Sequence, residues 1–185
     1  FAHGIHFNDS EIARLAQSGT GVAHRPISNM KLSSGVARIP DMLAAGVRVG
    51  LAVDGSASND ASNLLEELRT GYLLHRLCSG ERAPSGYDML KMATRGSASI
   101  LGRNDIGSIQ PGKCADMFMI DSRRLSLVGA CYDPKNVLGT VGIADGVDFT
   151  IVGGKVAVRH GQLTGVDEEK LARRANDVCR AYLCR

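Results

Sequence analysis

The chain has no tryptophan, and only four phenylalanines and four tyrosines among 185 residues. That leaves little material for a surface that stacks bases, and a net charge of +3 scattered along the sequence is a weak attractant for nucleic acid. No apolar run approaches the ~20 residues that cross a bilayer, so neither nucleic acid nor membrane is an expected partner. The five cysteines, Cys78, Cys114, Cys131, Cys179 and Cys184, form an odd set without a C-x-x-C spacing, which argues against a structural zinc site built from thiolates. Reduced, mostly buried thiols in a cytoplasmic protein are the expectation. There is also no initiating methionine, which suggests a processed chain or a piece of a longer one.

What is present is ordinary for a folded domain. Apolar residues make up 44% and charged residues 22%, and 185 residues suffice for one domain or two small ones. The informative stretch runs from Arg48 to Asn63. Its first half, Arg48-Val-Gly-Leu-Ala-Val53, is an apolar run of strand length that ends on Asp54 and is followed by a loop of small and polar residues. Continuous apolar residues bounded by turn signals describe a buried parallel strand. A carboxylate at the C-terminal end of such a strand stands where α/β barrels and open α/β sheets keep their chemistry. Asp54-Gly55 is equally a common turn pair, so a turn or helix-cap role stays open on local pattern alone.

Phe1 to His6 reads as the tail of a strand, residues 9–18 as a helix, and Gly21 to His24 as a second strand. Arg25 to Gly35 reads as a polar loop. Val36 to Gly46 is helical in pattern, with Ile39, Met42 and Leu43 on one side. Ser62 to Leu77 predicts the longest helix, on the recurrence of Leu64, Leu65, Leu68, Tyr72 and Leu73. Tyr87 to Ala93 and Ser97 to Leu101 predict two helical pieces broken near Gly96. Alternation of this kind predicts parallel strands joined by right-handed crossovers up to about residue 104. Beyond it come a strand at 115–120, a hairpin of 147–152 and 155–159 turning on Gly153-Gly154, and a terminal amphipathic helix from about 168 to 183.

Three successive strands thus end in His3, His24 and Asp54. If they are parallel neighbours the three side chains converge, and histidine and aspartate are ligands that a catalytic zinc site uses. Singly, each histidine is more often a hydrogen-bonded structural residue. His6, His75 and His160 share none of this placement and read as solvated or structural.

Ala2-His3-Gly4, His24-x-Pro26-x-Ser28-Asn29-Met30-Lys31-Leu32 and Val53-Asp54-Gly55-Ser56-Ala57-Ser58-Asn59-Asp60 resemble, in order and spacing, the amidohydrolase superfamily, and within it the branch that deaminates triazines and nucleobases. Leu101 to Gly107, followed by Pro111-Gly-x-x-Ala115-Asp116, resembles that family's passage from barrel to accessory β-sandwich. The resemblance implies an α/β fold: the C-terminal part of a (β/α)8 barrel, strands six to eight, in residues 1–104. A portion of the sandwich would occupy 105–165 and a C-terminal helix 166–185. It implies one divalent metal, zinc or else iron, with Asp54 as ligand and proton shuttle and His3 polarising the attacking water. His24, Ser28 and Asn29 would line the mouth, and Asn59 and Asp60 would shape the loop over a small heterocyclic substrate. The expected reaction is hydrolytic deamination of 8-oxoguanine first, an N-substituted hydroxytriazine such as hydroxyatrazine second, and guanine or a pterin third, in a protein that forms dimers.

Two departures matter. No His-x-His pair occurs, nor the fifth-strand histidine and His-x-x-Glu of the family, so the remaining ligands are expected upstream and the segment alone is expected to be inactive. Arg25 stands where the family more often has Cys or Asn. The rival from another class is a non-catalytic half-barrel that folds only against a partner chain, because an open three-stranded sheet leaves an unpaired edge.

Overall fold

Asn8 opens the first helix. Its side chain accepts from the Glu11 N–H while the Glu11 carboxylate accepts from the Asn8 N–H, a reciprocal pair that satisfies two of the donors orphaned at a helix start. The helix, α1 (Asp9–Ser18), buries Ile12 and Leu15 and stops at Gly19, whose φ of 63° is left-handed. The computed structural model describes residues 1–143 and 145–184. They fall into two units, Phe1–Lys113 with Ser122–Ala144, and Cys114–Asp121 with Asp145–Arg185.

In the first unit β1 (Gly21–His24) pairs in parallel with β2 (Arg48–Leu51), Val22 opposite Val49 and His24 opposite Leu51. Residues 1–3 add a short parallel bridge on the other side of β1, through Ala2 and Ala23. The expected order of three neighbouring parallel segments is therefore present. Their shared core is Val22, Val49 and Leu51 from the strands and Val47 just before β2, with Ile39 and Met42 from α3 (Ile39–Ala44). Each such side chain, taken from water to full burial, contributes on the order of 1.5–3 kcal/mol.

The polar loop expected at 25–35 contains a helix, α2 (Pro26–Lys31). Proline at the first helical position needs no N–H partner and presets φ, so Pro26 starts the helix. In α3 the expected apolar side holds for Ile39 and Met42, but Leu43 is exposed. Arg48, the first residue of β2, donates to Ser99 O and to Gly19 O, so it ties the strand to the end of α1.

Asn63 caps α4 (Leu64–Ser79) through the Leu65 N–H. Its buried stripe is Glu67, Leu68, Gly71, Leu74 and His75, not the leucine-tyrosine stripe expected, since Leu64 and Leu73 are exposed. The break expected near Gly96 is absent. Helix α5 (Gly86–Lys91) runs through a wider π-type turn at Met92–Gly96 into α6 (Ser97–Ile100). A Cβ on Gly96 would lie 2.1 Å from Val49 O, so the glycine lets this turn approach β2 closely. Ser97 Oγ accepts from Leu51 N at 3.2 Å and donates to Leu51 O at 3.0 Å, which fixes the strand end that leads to Asp54.

Residues 122–143, which the sequence pattern groups with the sandwich, pack here in the first unit. A short helix, α7 (Val137–Thr140), lies against α4 and α5, where Asn136 Oδ1 accepts from Tyr87 N at 2.8 Å and Arg69 donates to Thr140 O and Val141 O.

The second unit is an antiparallel sheet in the order β3 (Met117–Met119), β4 (Phe149–Val152), β5 (Lys155–Arg159), β6 (Gln162–Leu163). The expected hairpin turns on Gly153 and Gly154, with φ of 55° and 79°, conformations that glycine adopts without strain. Asp167 caps α8 (Glu168–Leu183), none of whose described residues is buried. Among the described residues no helix is long and apolar enough to cross a membrane. The cysteines depart from expectation: all five are exposed and none is in a disulfide, because they lie on outward helix faces and in turns.

Candidate active site

The segments preceding β1 and following β2 bring two of the three strand-end groups together. His3 and Asp54 both have left-handed backbone, φ 64° and 72°, in a region that costs residues other than glycine energy and is least unfavourable for Asp, Asn and His. These turns face the side chains toward each other, with His3 Nε2 3.6 Å from Asp54 Oδ2. Ser28 Oγ donates to Asp54 Oδ2 at 2.6 Å, and Arg25 Nη1 donates to Asp54 Oδ1 at 2.9 Å. The Ser28 hydroxyl first, then Gly55 N–H, Ser58 and the Arg25 charge, hold the Asp54 carboxyl below its ordinary pKa against the opposing effect of desolvation.

His3 has its tautomer set by its neighbours. Nδ1 lies 2.7 Å from Asn29 Oδ1, an acceptor, and Nε2 lies 3.3 Å from Arg25 Nη1, which can only donate. These two contacts favour the tautomer that carries its proton on Nδ1 and leaves Nε2 as the acceptor on the side of Arg25 and Asp54. Arg25, ambiguous in the sequence, points into the site. Ser28 and Asn29 are buried, delivered by the first turns of α2.

His24 does not join them. It is fully buried, and its Nε2 meets His75 Nε2 of α4 at 3.0 Å. Burial, then the second imidazole, pulls the His24 pKa down to about 3; burial pulls His75 down to about 4, so both rings are neutral. Among the described residues neither ring's Nδ1 has a partner. The convergence of His3, His24 and Asp54 is thus corrected to His3 and Asp54: within β1, Val22 and His24 share the buried face, and the strand's parity sends the imidazole to α4. His75, read as solvated or structural, is wholly buried, while His6 and His160 are exposed.

Asn59 is also buried. Its Nδ2 donates to Val53 O at 2.8 Å and to Glu67 Oε1 at 2.6 Å, and Glu67 Oε2 accepts from Ile27 N at 3.1 Å. Desolvation raises the Glu67 pKa to about 7. Asp60 is exposed and paired with Lys31 at 2.7 Å. Glu67 escaped notice in the sequence because a glutamate in the first turn of a capped helix is ordinary there; its place two residues after the Leu65 that Asn63 caps was the only hint.

For a metal, the donor chemistry fits in part. Asp54 and His3 offer one oxygen and one nitrogen of the kinds that zinc takes, whereas a catalytic zinc site uses three protein ligands. Among the described residues no group of three or more His, Cys, Asp or Glu could hold an ion.

Parallel strands in an α/β layout, with an acid and an imidazole meeting at their C-terminal ends, are the arrangement of the α/β proteins, barrels and open sheets, that keep their chemistry there. The chain belongs to the amidohydrolase family, whose profile covers residues 1–157. It is 48% identical over 185 residues to hydroxydechloroatrazine ethylaminohydrolase of Pseudomonas sp. (strain ADP), covering 98% of this chain and 38% of that protein. Identity to 8-oxoguanine deaminase of Pseudomonas aeruginosa is 47% over 168 residues, covering 90% of this chain and 36% of that one. The fold matches the C-terminal portion of barrel enzymes of the family, including the crystal structure of atrazine chlorohydrolase from Arthrobacter aurescens TC1 complexed with zinc. There the TM-score is 0.90 at 34% identity, over 95% of this chain and 39% of that one. The chain spans less than half the length of these relatives.

Proposed function

We propose that the protein bearing this chain catalyses hydrolytic removal of an amino group from a small N-heterocycle, with Asp54 and His3 as the reacting groups. One observation carries the reading: the Asp54 carboxylate and the His3 Nε2 lie 3.6 Å apart at parallel strand ends. Asp54 would hold a divalent metal, zinc before iron, and when bound that ion supplies water at a pKa lowered toward ~7. Ligands beyond this chain's own would complete the set.

The residues then divide the work. Asp54 accepts the proton of the attacking water and returns it to the departing amine, a shuttle that needs a carboxylate able to swing between two partners. Ser28 and Arg25 keep that carboxylate ionised between turnovers. His3, with its proton fixed on Nδ1 by Asn29, presents Nε2 as an acceptor that orients the water. Ser28 and Asn29 hold the reacting pair from α2, Asn59 stiffens the loop that carries Asp54, and His24, packed against His75, takes no part.

For the substrate, 8-oxoguanine stands first and a hydroxytriazine carrying an N-ethyl group second. The second reading has its own support, because the ethylaminohydrolase is as similar as the 8-oxoguanine deaminase. Ammonia or ethylamine release should be assayed with the zinc-loaded protein on 8-oxoguanine, hydroxyatrazine, guanine and a pterin. Turnover of 8-oxoguanine at least tenfold above the rest is expected; preference for hydroxyatrazine would move the assignment, and no release from any of them would remove it.

A further inference from the structure

We propose that Glu67 is a positioning residue for this chemistry: from its buried place on α4 it clamps together the loop that carries Asp54 and the turn that carries Ser28 and Asn29. The inference rests on the reading of Asp54 and His3 as the reacting groups, and it adds a residue that touches neither of them.

Each side of the clamp is a hydrogen bond to one carboxylate oxygen. Oε1 takes the Asn59 amide at 2.6 Å, and that same amide donates to Val53 O at 2.8 Å, the carbonyl immediately before Asp54. Oε2 takes the Ile27 N–H at 3.1 Å, and the next two residues are Ser28, bonded to Asp54, and Asn29, bonded to His3. Asn59 is itself fixed from both sides, its N–H donating to Gly55 O at 2.9 Å and its Oδ1 accepting from Ser62 N at 3.2 Å. The loop from 53 to 62 is thereby folded around one side chain, and one glutamate joins it to α2.

The chemistry of the position explains why an acid is there at all. Burying a carboxyl is unfavourable, and its pKa is raised to about 7 as a result. Only a carboxyl group, however, offers two oxygens at this spacing to two N–H donors that converge from different segments. A glutamine offers one oxygen and turns an NH2 toward the other donor; a leucine strands both. The anchor is a long helix whose inner face also buries Leu68 and Gly71, so the clamp stands on rigid structure. Backbone at 72° φ in Asp54 is held from outside the residue, and the Val53 carbonyl and Ser28 hydroxyl are the holds on either side of it.

The test compares Glu67→Gln with Leu68→Ala, which opens a cavity on the same helix face. Two quantities are read: hydrolysis kinetics of the zinc-loaded protein, and amide exchange residue by residue without metal. Glu67→Gln is expected to lower kcat ten- to a hundredfold with KM within threefold, and to speed exchange at least tenfold at Ile27 and over 54–59 alone. Leu68→Ala is expected to lower the melting temperature as much or more and to keep kcat within threefold. Unchanged exchange in Glu67→Gln, or a kcat loss that merely tracks melting temperature across both variants, overturns the clamp. If the unsubstituted protein hydrolyses nothing in the panel, the functional reading fails while the exchange pattern still decides the clamp. Should Glu67→Gln not fold, Asn59→Ala carries the same readings, since it removes the Oε1 donor and the Val53 contact and leaves α4 intact.

Discussion

The ends of β1 and β2 look alike in sequence and do different work. Each is an apolar strand closing on a polar side chain, His24 in one and Asp54 in the other. Asp54 lies three residues past its strand, takes a positive φ itself, and reaches His3, Ser28 and Arg25. His24 is still inside the ladder, opposite Leu51, so the pleat fixes its direction and it goes to His75 in the helix layer. A residue within a strand inherits its face from parity, whereas one just past the end is free to be turned into the mouth.

The largest effect should separate these two ends. Asp54→Asn keeps the shape and the Ser28 contact but removes the charge and the proton shuttle, so hydrolysis should fall about 10³-fold with little change in melting temperature. His24→Ala should do the reverse. It empties a fully buried site and leaves the His75 ring unpaired, for a loss of about 2–4 kcal/mol in stability with kcat per folded molecule near normal. A His24 variant that melts normally yet fails to turn over would erase the distinction between the ends.

How much of this was legible follows from the same contrast. The parallel order, the helix over residues 9–18, the Gly-Gly hairpin and the Asp54 strand end were readable because each depends on local pattern or on a residue with one strong conformational preference. The destinations of side chains were not. His75 and Glu67 sit in a helix whose leucines suggested a different inner stripe, and only the pairing partners His24, Asn59 and Ile27, distant by 8 to 51 residues, make them interior. Arg25 could be noticed as a departure from the family but not aimed, since its direction is set by a carboxylate 29 residues away.

Acid should expose the β1 end next. His24 and His75 have depressed pKa values in the folded state, so they stabilise it fully above their ordinary 6.5, and that contribution is lost as pH falls toward 4 and 3. Glu67 runs the other way: its raised value contributes stability fully present below 4.5 and lost as pH rises through about 7. Between 4.5 and 6.5 two histidines oppose one glutamate, so net stability should decline toward acid, by about 1.4 kcal/mol per pH unit for each histidine unmatched. Urea titrations across pH 4–8 should find that decline flattened in His75→Gln and steepened in Glu67→Gln. An unchanged slope in His75→Gln would mean that the pair is not neutral in the fold.

A smaller effect should sharpen the β2 end. The Arg25 guanidinium lies on Asp54 Oδ1 at 2.9 Å and so competes with any cation for that carboxylate. Arg25→Gln should tighten zinc binding about fivefold in a competition titration against a chromogenic chelator, the size of one charge at contact distance in a solvent-like dielectric. Weaker binding would instead make Arg25 a support that aims the carboxylate, and would put it with Ser28 rather than against the metal.

The smallest effect is expected at the rim of the same loop. Lys31 holds Asp60 at 2.7 Å and also donates to Ala57 O at 3.1 Å, but Asp60 is 80% exposed, so water and salt screen the pair. If Asn59 supplies the rigidity of this loop from inside through Glu67, the outer ion pair is dispensable. Asp60→Asn should then change kcat/KM for the preferred heterocycle less than about twofold, and raising the ionic strength should leave the unsubstituted protein's kcat/KM equally unmoved. A tenfold loss in Asp60→Asn that salt reproduces in the parent would mean that the exposed pair, and not the buried clamp, holds the loop over Asp54.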